Sequence, residues 1–435
     1  MITLGIETSC DETALALIET REISDAKDDD RQPSAHTEYR IIQSLVHSQA
    51  ELHSAYGGVF PTLAKREHSK NLVPLLEKIL KDLPGRSQIT NNKLQTNPNN
   101  QSINSKQETT SFKEKLESFK KEYGEQNADL LESFTHAIFL ENIPDIDRIA
   151  VTEGPGLEPA LWVGITFARM LGELWNIPVI PVDHMEGHVI GSLLDDTKPY
   201  GTWQPLKELS LPAVALLISG GHTELIKVEA DFKYKLLGQT KDDAVGEAFD
   251  KVARLLDLPY PGGPHIAKLA HEAWEEKIQS PVKLPRPMIN SGDLDFSFSG
   301  LKTAVLYAVQ AEASKGASSV KDASPLSDNF KKGLAYEFEQ SVAEVLDAKL
   351  RQAVESVGAQ SIVIGGGVSA NHVLRTRFQK TAETYSIPLF LPSFHVSGDN
   401  ALMIALVGSM QPLTAKDTTH PPSTIHARGT KKITE

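Results

Sequence analysis

The chain has 435 residues, 40% of them apolar and only 6% aromatic, which is enough for two lobes that each bury a core of their own. Its formal net charge of −13 argues against a protein that grips long nucleic acid unaided, because such binding depends on neutralising phosphates; a local basic patch or a partner could supply that grip. The single cysteine, Cys10, excludes an internal disulfide and a thiolate zinc cluster, so a metal here must use histidine and carboxylate ligands.

No apolar run approaches the ~18 residues that span a bilayer. The strand-like run at Ile2 follows no charged or Arg-rich leader, so a cytoplasmic or mature protein is expected. The run from Ile2 to Thr8 predicts a strand and Ala14 to Ile18 a second, joined by the polar turn Ser9-Cys10-Asp11-Glu12-Thr13. The pattern returns at Ala213 to Ile218, followed by Ser219-Gly220-Gly221-His222-Thr223-Glu224 and then Leu225 to Val228. This echo suggests a duplicated α/β fold with a cleft between the halves, against the alternative of two hairpins alike by chance.

From Arg21 to Tyr39 the chain is polar, with the acidic run Asp28-Asp29-Asp30, and is expected as a solvated loop. Tyr56 to Pro61 is a turn feeding a helix whose apolar positions are Leu63, Leu72, Leu75, Leu76, Ile79 and Leu80. Lys65, Arg66, Glu67, His68 and Lys70 read as its wet face, although the basic ones could line a nucleic-acid path. Ser87 to Ser111 holds too little apolar content to offset ordering and reads as a mobile insertion. Helical spacing returns from Phe112 to Leu140. Arg148 to Thr152 is a strand ending in Glu153-Gly154-Pro155-Gly156-Leu157, and this turn opens a helix over Leu161 to Leu174. The turn's bare amides could receive an anion, or it could be only a tight connection.

The strand Val179 to Val182 then delivers Asp183-His184-Met185-Glu186-Gly187-His188 to the end of a sheet, where ligands of open α/β folds collect. Two histidines four apart share one helix face and can close on a single metal ion; two ordinary histidines near a strand end are the alternative.

The second half is richer. Ser219-Gly220-Gly221 lacks bulk, so its backbone can approach a phosphate or carboxylate. Asp242 to Lys251 is helical in pattern and places Asp242, Gly246 and Asp250 on one face, suited to a ribose lying against a small residue; an exposed acidic stripe is the alternative. Tyr260-Pro261-Gly262-Gly263-Pro264 is a bare turn that could face a nucleoside. Ser361 to Ile364 runs into Gly365-Gly366-Gly367-Val368-Ser369-Ala370-Asn371 and a helix, the order in which a nucleotide is commonly cradled, but without the dinucleotide or Walker signature. Asp399, before the apolar helix Ala401 to Val407, is either an N-cap or the carboxylate that completes a two-histidine, one-carboxylate site suited to iron(II).

Seven stretches together resemble the TsaD family of tRNA threonylcarbamoyladenosine transferases, once labelled O-sialoglycoprotein endopeptidases. They are Gly5 to Thr13, His184 to His188, Ser219 to Thr223, Gly246 to Lys251, Tyr260 to Pro264, Asp295 to Lys302 and Gly365 to Asn371. The resemblance implies a duplicated actin/Hsp70-like (ASKHA) α/β fold of two lobes around a central cleft. The lobes would be 1–180, with a polar insertion at about 85–130, and 181–410, with a tail over 411–435. It implies transfer of threonylcarbamoyl from threonylcarbamoyl-AMP to N6 of adenosine 37 in tRNAs reading codons that begin with A, releasing AMP. Carried over by motif, His184, His188 and Asp399 would hold the metal, iron(II) first and zinc second, while Leu217, Ile218, Ser219, Gly220, Gly221, Asp250, Gly263 and Asn371 would contact the adenylate. Asp11 and Glu12 are candidates to position or deprotonate the amine.

Bacterial members work with TsaB-like and TsaE-like partner subunits in the cytoplasm, mitochondrial members as homodimers in the matrix. The polar stretch after Leu83 is longer than the family pattern, and the tail with Arg428, Lys431 and Lys432 matches no motif, although its charge could touch tRNA. A zinc peptidase would need H-E-x-x-H, which Met185 breaks. A kinase or ATPase of the same fold would not need the histidine pair, and a non-catalytic scaffold would be expected to have lost the metal ligands.

Overall fold

The computed structural model describes residues 1–24, 35–81, 105–124, 127–137, 144–195, 197–314, 325–412 and 424–434. The first half runs β1 (Ile2–Glu7), β2 (Glu12–Ser24), β3 (Ala35–Ser48), α1 (Ala50–Ser54), α2 (Pro61–Lys81), α3 (Ser105–Tyr123), α4 (Ala128–Thr135), β4 (Arg148–Gly154), α5 (Glu158–Trp175), β5 (Val179–Asp183) and α6 (His184–Gly191). A short strand β6 (Gln204–Pro205) links to the second half, which runs β7 (Ala213–Ile218), β8 (Thr223–Val228), β9 (Tyr234–Gln239), α7 (Val245–Leu255), α8 (Gly262–Glu275), α9 (Ser299–Ala313), α10 (Asp328–Val357), β10 (Ser361–Gly365), α11 (His372–Tyr385), β11 (Leu389–Phe390) and α12 (Ala401–Met410).

Each half builds the same sheet. The first has the order β5-β4-β1-β2-β3, with β6 added at the edge, and the second β11-β10-β7-β8-β9. In both, the first strand pairs antiparallel with the second and parallel with the fourth, and the fifth is parallel to the fourth. Identical order and identical directions make this the duplicated actin/Hsp70-like arrangement that the resemblance implies. The expected lobe boundary at 180/181 falls inside β5, and β6 also belongs to the first sheet.

Alternation along the strands explains how the sheets are covered. On β2, Leu15 and Leu17 face a core shared with α2, α4 and α5, while Ala14, Ala16 and Ile18 face a central core that holds α6 and α12. On β7, Val214, Leu216 and Ile218 face the second half's own core, while Ala213, Ala215 and Leu217 face that same central core. The middle layer is therefore two helices clasped between two sheets, and small residues let it close. A methyl group on Gly5 would meet Ala401 O at 2.3 Å, and one on Gly408 would meet the Ala150 Cβ at 2.3 Å, so α12 lies directly on β1 and β4.

Three expectations are corrected. His68, read as part of the wet face of α2, is fully buried, its ring held between Thr13 Oγ1 and the Cys10 carbonyl. The polar stretch from Arg21 to Tyr39 is mostly hairpin: β2 continues to Ser24 and β3 resumes at Ala35, in register with Ser24. Cross-strand charge pairs carry the ladder past the apolar core, Arg21 with Glu38 at 2.6 Å and Arg40 with Glu19, and both guanidinium groups lie over the Trp203 ring. Asp28 to Asp30 lie outside the described residues. The polar insertion also ends sooner than expected, because Ser105 already begins α3, which buries Phe119 against Phe134 with ring centroids 6.2 Å apart. Leu116, Phe119 and Tyr123 supply a helical apolar face there. The earlier part of the insertion, 82–104, lies outside the described residues.

Candidate metal centre and cleft

The chain enters α6 through Asp183, whose Oδ1 accepts from Met185 N at 2.9 Å and Glu186 N at 3.1 Å and so starts the helix at His184. One turn later comes His188, and the two rings stand edge to face with centroids 4.7 Å apart, both buried. The third member comes from the far end of the chain. Asn400, not Asp399, caps α12, accepting from Met403 N at 3.1 Å, which frees the Asp399 carboxylate. Asp399 Oδ1 lies 3.3 Å from both His184 Nε2 and His188 Nε2, and the three possible ligand atoms all fall within 4.8 Å of one another.

Behind this trio stands Glu7 on β1, fully buried. Its Oε2 lies 3.1 Å from His184 Nδ1 and accepts from Thr152 Oγ1 at 2.6 Å, while its Oε1 accepts from Ser9 N at 2.5 Å. The network assigns the proton to His184 Nδ1 and turns the Nε2 lone pair toward Asp399, the orientation in which a carboxylate braces a metal-bound imidazole. His188 Nε2 is buried and makes no directed hydrogen bond, although it sits beside Asp399. An orphaned imidazole nitrogen, a second one held ready and a carboxylate, all in one buried spot, fit a divalent transition-metal ion.

Without a cation, protons do that balancing. Burial works against the charged His184 ring, but Asp399 and Glu7 outweigh it and hold its pKa well above the ordinary histidine range. Burial likewise disfavours charge on Asp399 and Glu7, and His184 overrides it, keeping both carboxyls below their ordinary values.

A cleft of about 1960 Å³ opens from this point between the halves. It is lined by His184 and Asp399, by Asp11 and Glu12 on the first half, and by Ser219, Gly220, Gly221, Asp250, Gly263 and Asn371 on the second. Leu217 and Ile218 are not among its walls. Both are fully buried in β7, one in each of two cores, so they support the turn from behind.

Methyl groups added at Gly220, Gly221 or Gly263 would meet nothing within 4 Å, so these glycines leave room on the cleft side. The amides of Gly221 and His222 are already held by Ser219 Oγ at 3.3 and 3.1 Å, so the turn is braced by its own serine. Gly246 plays a different part from the ribose floor expected of it. A methyl there would meet Ser219 O at 2.6 Å and Gly220 Cα at 2.8 Å, so its bareness lets α7 dock against the glycine turn.

Asp242 leaves the helical face altogether, since α7 begins only at Val245. Its carboxylate accepts from the amides of Phe298 and Ser299 at 2.8 and 3.2 Å and ties down the start of α9. Asp250 stays on α7 and accepts from Gly262 N at 2.7 Å, fixing α8. Asn371 caps α11 by accepting from Leu374 N and donates to Glu339 Oε1 at 2.7 Å.

Glu12 hydrogen-bonds Ser48 Oγ at 3.3 Å, and burial, followed by the charges of Asp11 and Asp399, pushes its pKa up to about 9. In the metal-free protein it therefore carries a proton at neutral pH and offers a donor rather than a base. Residues not singled out in the sequence also shape the cleft. Glu339 lies on α10, its pKa pushed up to about 7 chiefly by burial, and His222 has its pKa lowered to about 4 chiefly by burial. The tail contributes too: Lys431 Nζ reaches Glu153 Oε1 at 2.7 Å and Asp183 Oδ2 at 3.3 Å, and Gly429 joins the cleft wall.

The profile of the family TsaD, tRNA N6-adenosine threonylcarbamoyltransferase, matches residues 40–94 and 127–406. The chain belongs to the TsaD family. A relative from Methylobacillus flagellatus of that name is 37% identical over 97% of this chain and 95% of its own length. Those from Nitrosospira multiformis and Polynucleobacter necessarius are 35% and 38% identical, over 94% and 95% of this TsaD-family chain and 91% and 93% of their own. Among solved structures, component A of the Acidaminococcus fermentans (R)-2-hydroxyglutaryl-CoA dehydratase aligns over 94% of the chain at 12% identity and a TM-score of 0.39. The fold assignment rests on the strand order instead. Among the described residues no helix is long and apolar enough to cross a membrane.

Proposed function

We propose that this protein transfers the threonylcarbamoyl group from threonylcarbamoyl-AMP to N6 of adenosine 37 in tRNAs that read codons beginning with A. The carbamoyl carbon to phosphate-oxygen bond breaks, the bond to N6 forms, AMP leaves and N6 loses a proton. The observation that carries the reading is the convergence of His184, His188 and Asp399 at a cleft whose walls include the bare backbone of Gly220, Gly221 and Gly263.

His184, His188 and Asp399 would hold the metal, taken as iron(II) with zinc second. There it would polarise an oxygen and steady negative charge. The rest is the work of the chain itself. Glu7 fixes the His184 tautomer. Gly220, Gly221 and Gly263 would leave space for the adenylate, and Asp250, lining the same cleft, would accept from a ribose hydroxyl. Holding donor and amine together in one crevice supplies much of the acceleration, since a poor nucleophile gains most from placement. Glu12 and Asp11, side by side on the first turn, are the residues proposed to position the amine or take its proton. The arrangement proposed is a cytoplasmic enzyme that works with TsaB-like and TsaE-like subunits. A homodimer of the mitochondrial type is the second arrangement.

The test is direct. Purified protein, alone and with candidate partner subunits, is incubated with threonylcarbamoyl-AMP and unmodified tRNA, and the digested tRNA is examined for the modified nucleoside. Product from the wild type and its loss in His184→Ala are expected. Absence of product under every combination would sink the transferase reading, and undiminished product in the variant would sink the metal assignment.

A further inference from the structure

The loop between α1 and α2 presents two aromatic rings at the lip of the cleft. Tyr56 is 63% exposed and Phe60 51%, yet they stack on one another, centroids 5.6 Å apart and planes 18° from parallel. Between them Gly57, at φ +66°, and Gly58, at φ +152°, take backbone shapes that side chains rarely adopt, and Gly57, Gly58 and Val59 line the same cleft as Asp11 and Glu12. Lone exposed rings are common on protein surfaces. A stacked pair held open to water at the mouth of an active cleft is a different matter, because its outer faces remain unused.

The loop is built from beneath. Tyr56 N donates to His53 O at 2.9 Å, and Phe60 N donates to His53 Nδ1 at 3.2 Å. That makes Nδ1 the acceptor, so His53 Nε2 carries the proton toward Gln49 Oε1 at 3.2 Å. Gln49 Nε2 in turn donates to Thr13 Oγ1 at 3.4 Å, and Thr13 Oγ1 donates to His68 Nδ1 at 2.8 Å. His68 Nε2 then donates to Cys10 O at 3.0 Å, while Gln49 N donates to Asp11 O at 2.9 Å. Every member of this buried chain has one consistent role, and it runs from the aromatic lip to the turn that bears Asp11 and Glu12. Burial lowers the pKa of both His53 and His68, so both rings are neutral, as the chain requires. From the other half, Arg254 donates to Gly57 O and brings a cation to the lip.

We propose that Tyr56 and Phe60 form a stacking platform for an unpaired base of the tRNA loop that carries the acceptor adenine, with the His53–Gln49–His68 chain fixing the platform relative to Asp11 and Glu12. The inference rests on the transferase reading and adds to it where the RNA is gripped. A chain of net charge −13 has little long-range attraction for a polyanion, whereas a base stacked on an aromatic face is held without charge neutralisation. Arg254 matches the phosphate that would flank such a base, which favours RNA over an apolar protein partner despite the exposed Val46 and Leu52 nearby in sequence.

The experiment compares the full-length wild type with Tyr56→Ala/Phe60→Ala, and with Tyr56→Phe/Phe60→Tyr, which keeps two rings. Dissociation constants for unmodified tRNA are measured at low and high salt, beside the KM for threonylcarbamoyl-AMP and the pattern of co-purifying subunits. The alanine pair is expected to bind tRNA about 10- to 100-fold more weakly. That loss should be the same factor at both salt levels, the KM for the donor unchanged, and affinity restored by the ring-keeping pair. Wild-type tRNA affinity in the alanine pair, a loss that vanishes at high salt, or loss of a protein subunit with tRNA affinity intact would each overturn the platform while leaving the transferase reading standing. A wild type that binds no tRNA, with or without partners, would overturn both.

Discussion

The turn between β1 and β2 and the turn between β7 and β8 occupy the same place in two halves of identical strand order, yet they offer opposite chemistry. The first presents Asp11 and Glu12, buried enough that Glu12 holds a proton to about pH 9. The second presents Ser219, Gly220 and Gly221, with open space where side chains would be. The same asymmetry appears beyond the fifth strand of each half, where one supplies two histidines on α6 and the other Asp399 ahead of α12. Duplication supplied a symmetric cradle. The sequence then differs between the halves: one turn carries acid, the other is stripped to backbone, and the His184, His188 and Asp399 cluster is split between them.

If the centre is shared, His188→Ala and Asp399→Ala should damage it alike although they lie in different halves. Each is expected to lower metal affinity by more than about a hundredfold, because even outer partners of metal ligands are worth about 10- to 100-fold. Metal content after dialysis against a chelator reads this, and full retention in either variant would make the centre the property of one half.

Next in size, Glu7→Gln is expected to cost about 10- to 100-fold in metal affinity, since the amide cannot anchor the His184 Nδ1 proton as the carboxylate does. A titration of the metal-free variant with iron(II) or zinc checks it, and an unchanged constant would demote Glu7 to a packing role.

On the second half, Gly246→Ala is expected to destabilise the fold by about 1–3 kcal/mol, the range for overpacking, because its methyl would press on Ser219 O. AMP binding should weaken with it while metal affinity holds. Calorimetry on the same sample separates the two.

A last effect, read in the pH dependence of stability, has a sign fixed by linkage. The raised pKa of Glu12 means that folding favours its protonated form, so stability present below the ordinary carboxylate value, about 4.3, is lost as pH climbs toward about 9. Glu12→Gln removes that loss. In chelated protein its melting temperature should exceed that of the wild type at pH 8 and match it at pH 4. A difference that is the same at both pH values would mean that Glu12 titrates normally.

Local pattern made part of this legible. The histidine pair stood out because both ligands belong to one helix turn, and the doubled strand-turn-strand announced the duplicated fold. What stayed hidden depended on distant packing. Glu7 reads in sequence as one more polar residue beside a turn, and only the packing of β1 and α6 around α12 makes it the partner of His184. Asp242 keeps helical spacing with Gly246 and Asp250, but amides 56 and 57 residues away claim its carboxylate before the helix begins. Asp399 was left between cap and ligand, and the choice turned on its neighbour Asn400 taking the cap. Leu217 and Ile218, carried over with the motif, continue the strand that leads into the glycine turn, and their side chains are fully buried there.

The central claim is that one ion sits between the halves, held by both. Anomalous diffraction from metal-loaded crystals, collected on either side of the metal's absorption edge, tests it most directly. A single peak within bonding distance of His184 Nε2, His188 Nε2 and an Asp399 carboxylate oxygen is expected; a peak elsewhere, or none at this point in fully loaded protein, would contradict the account.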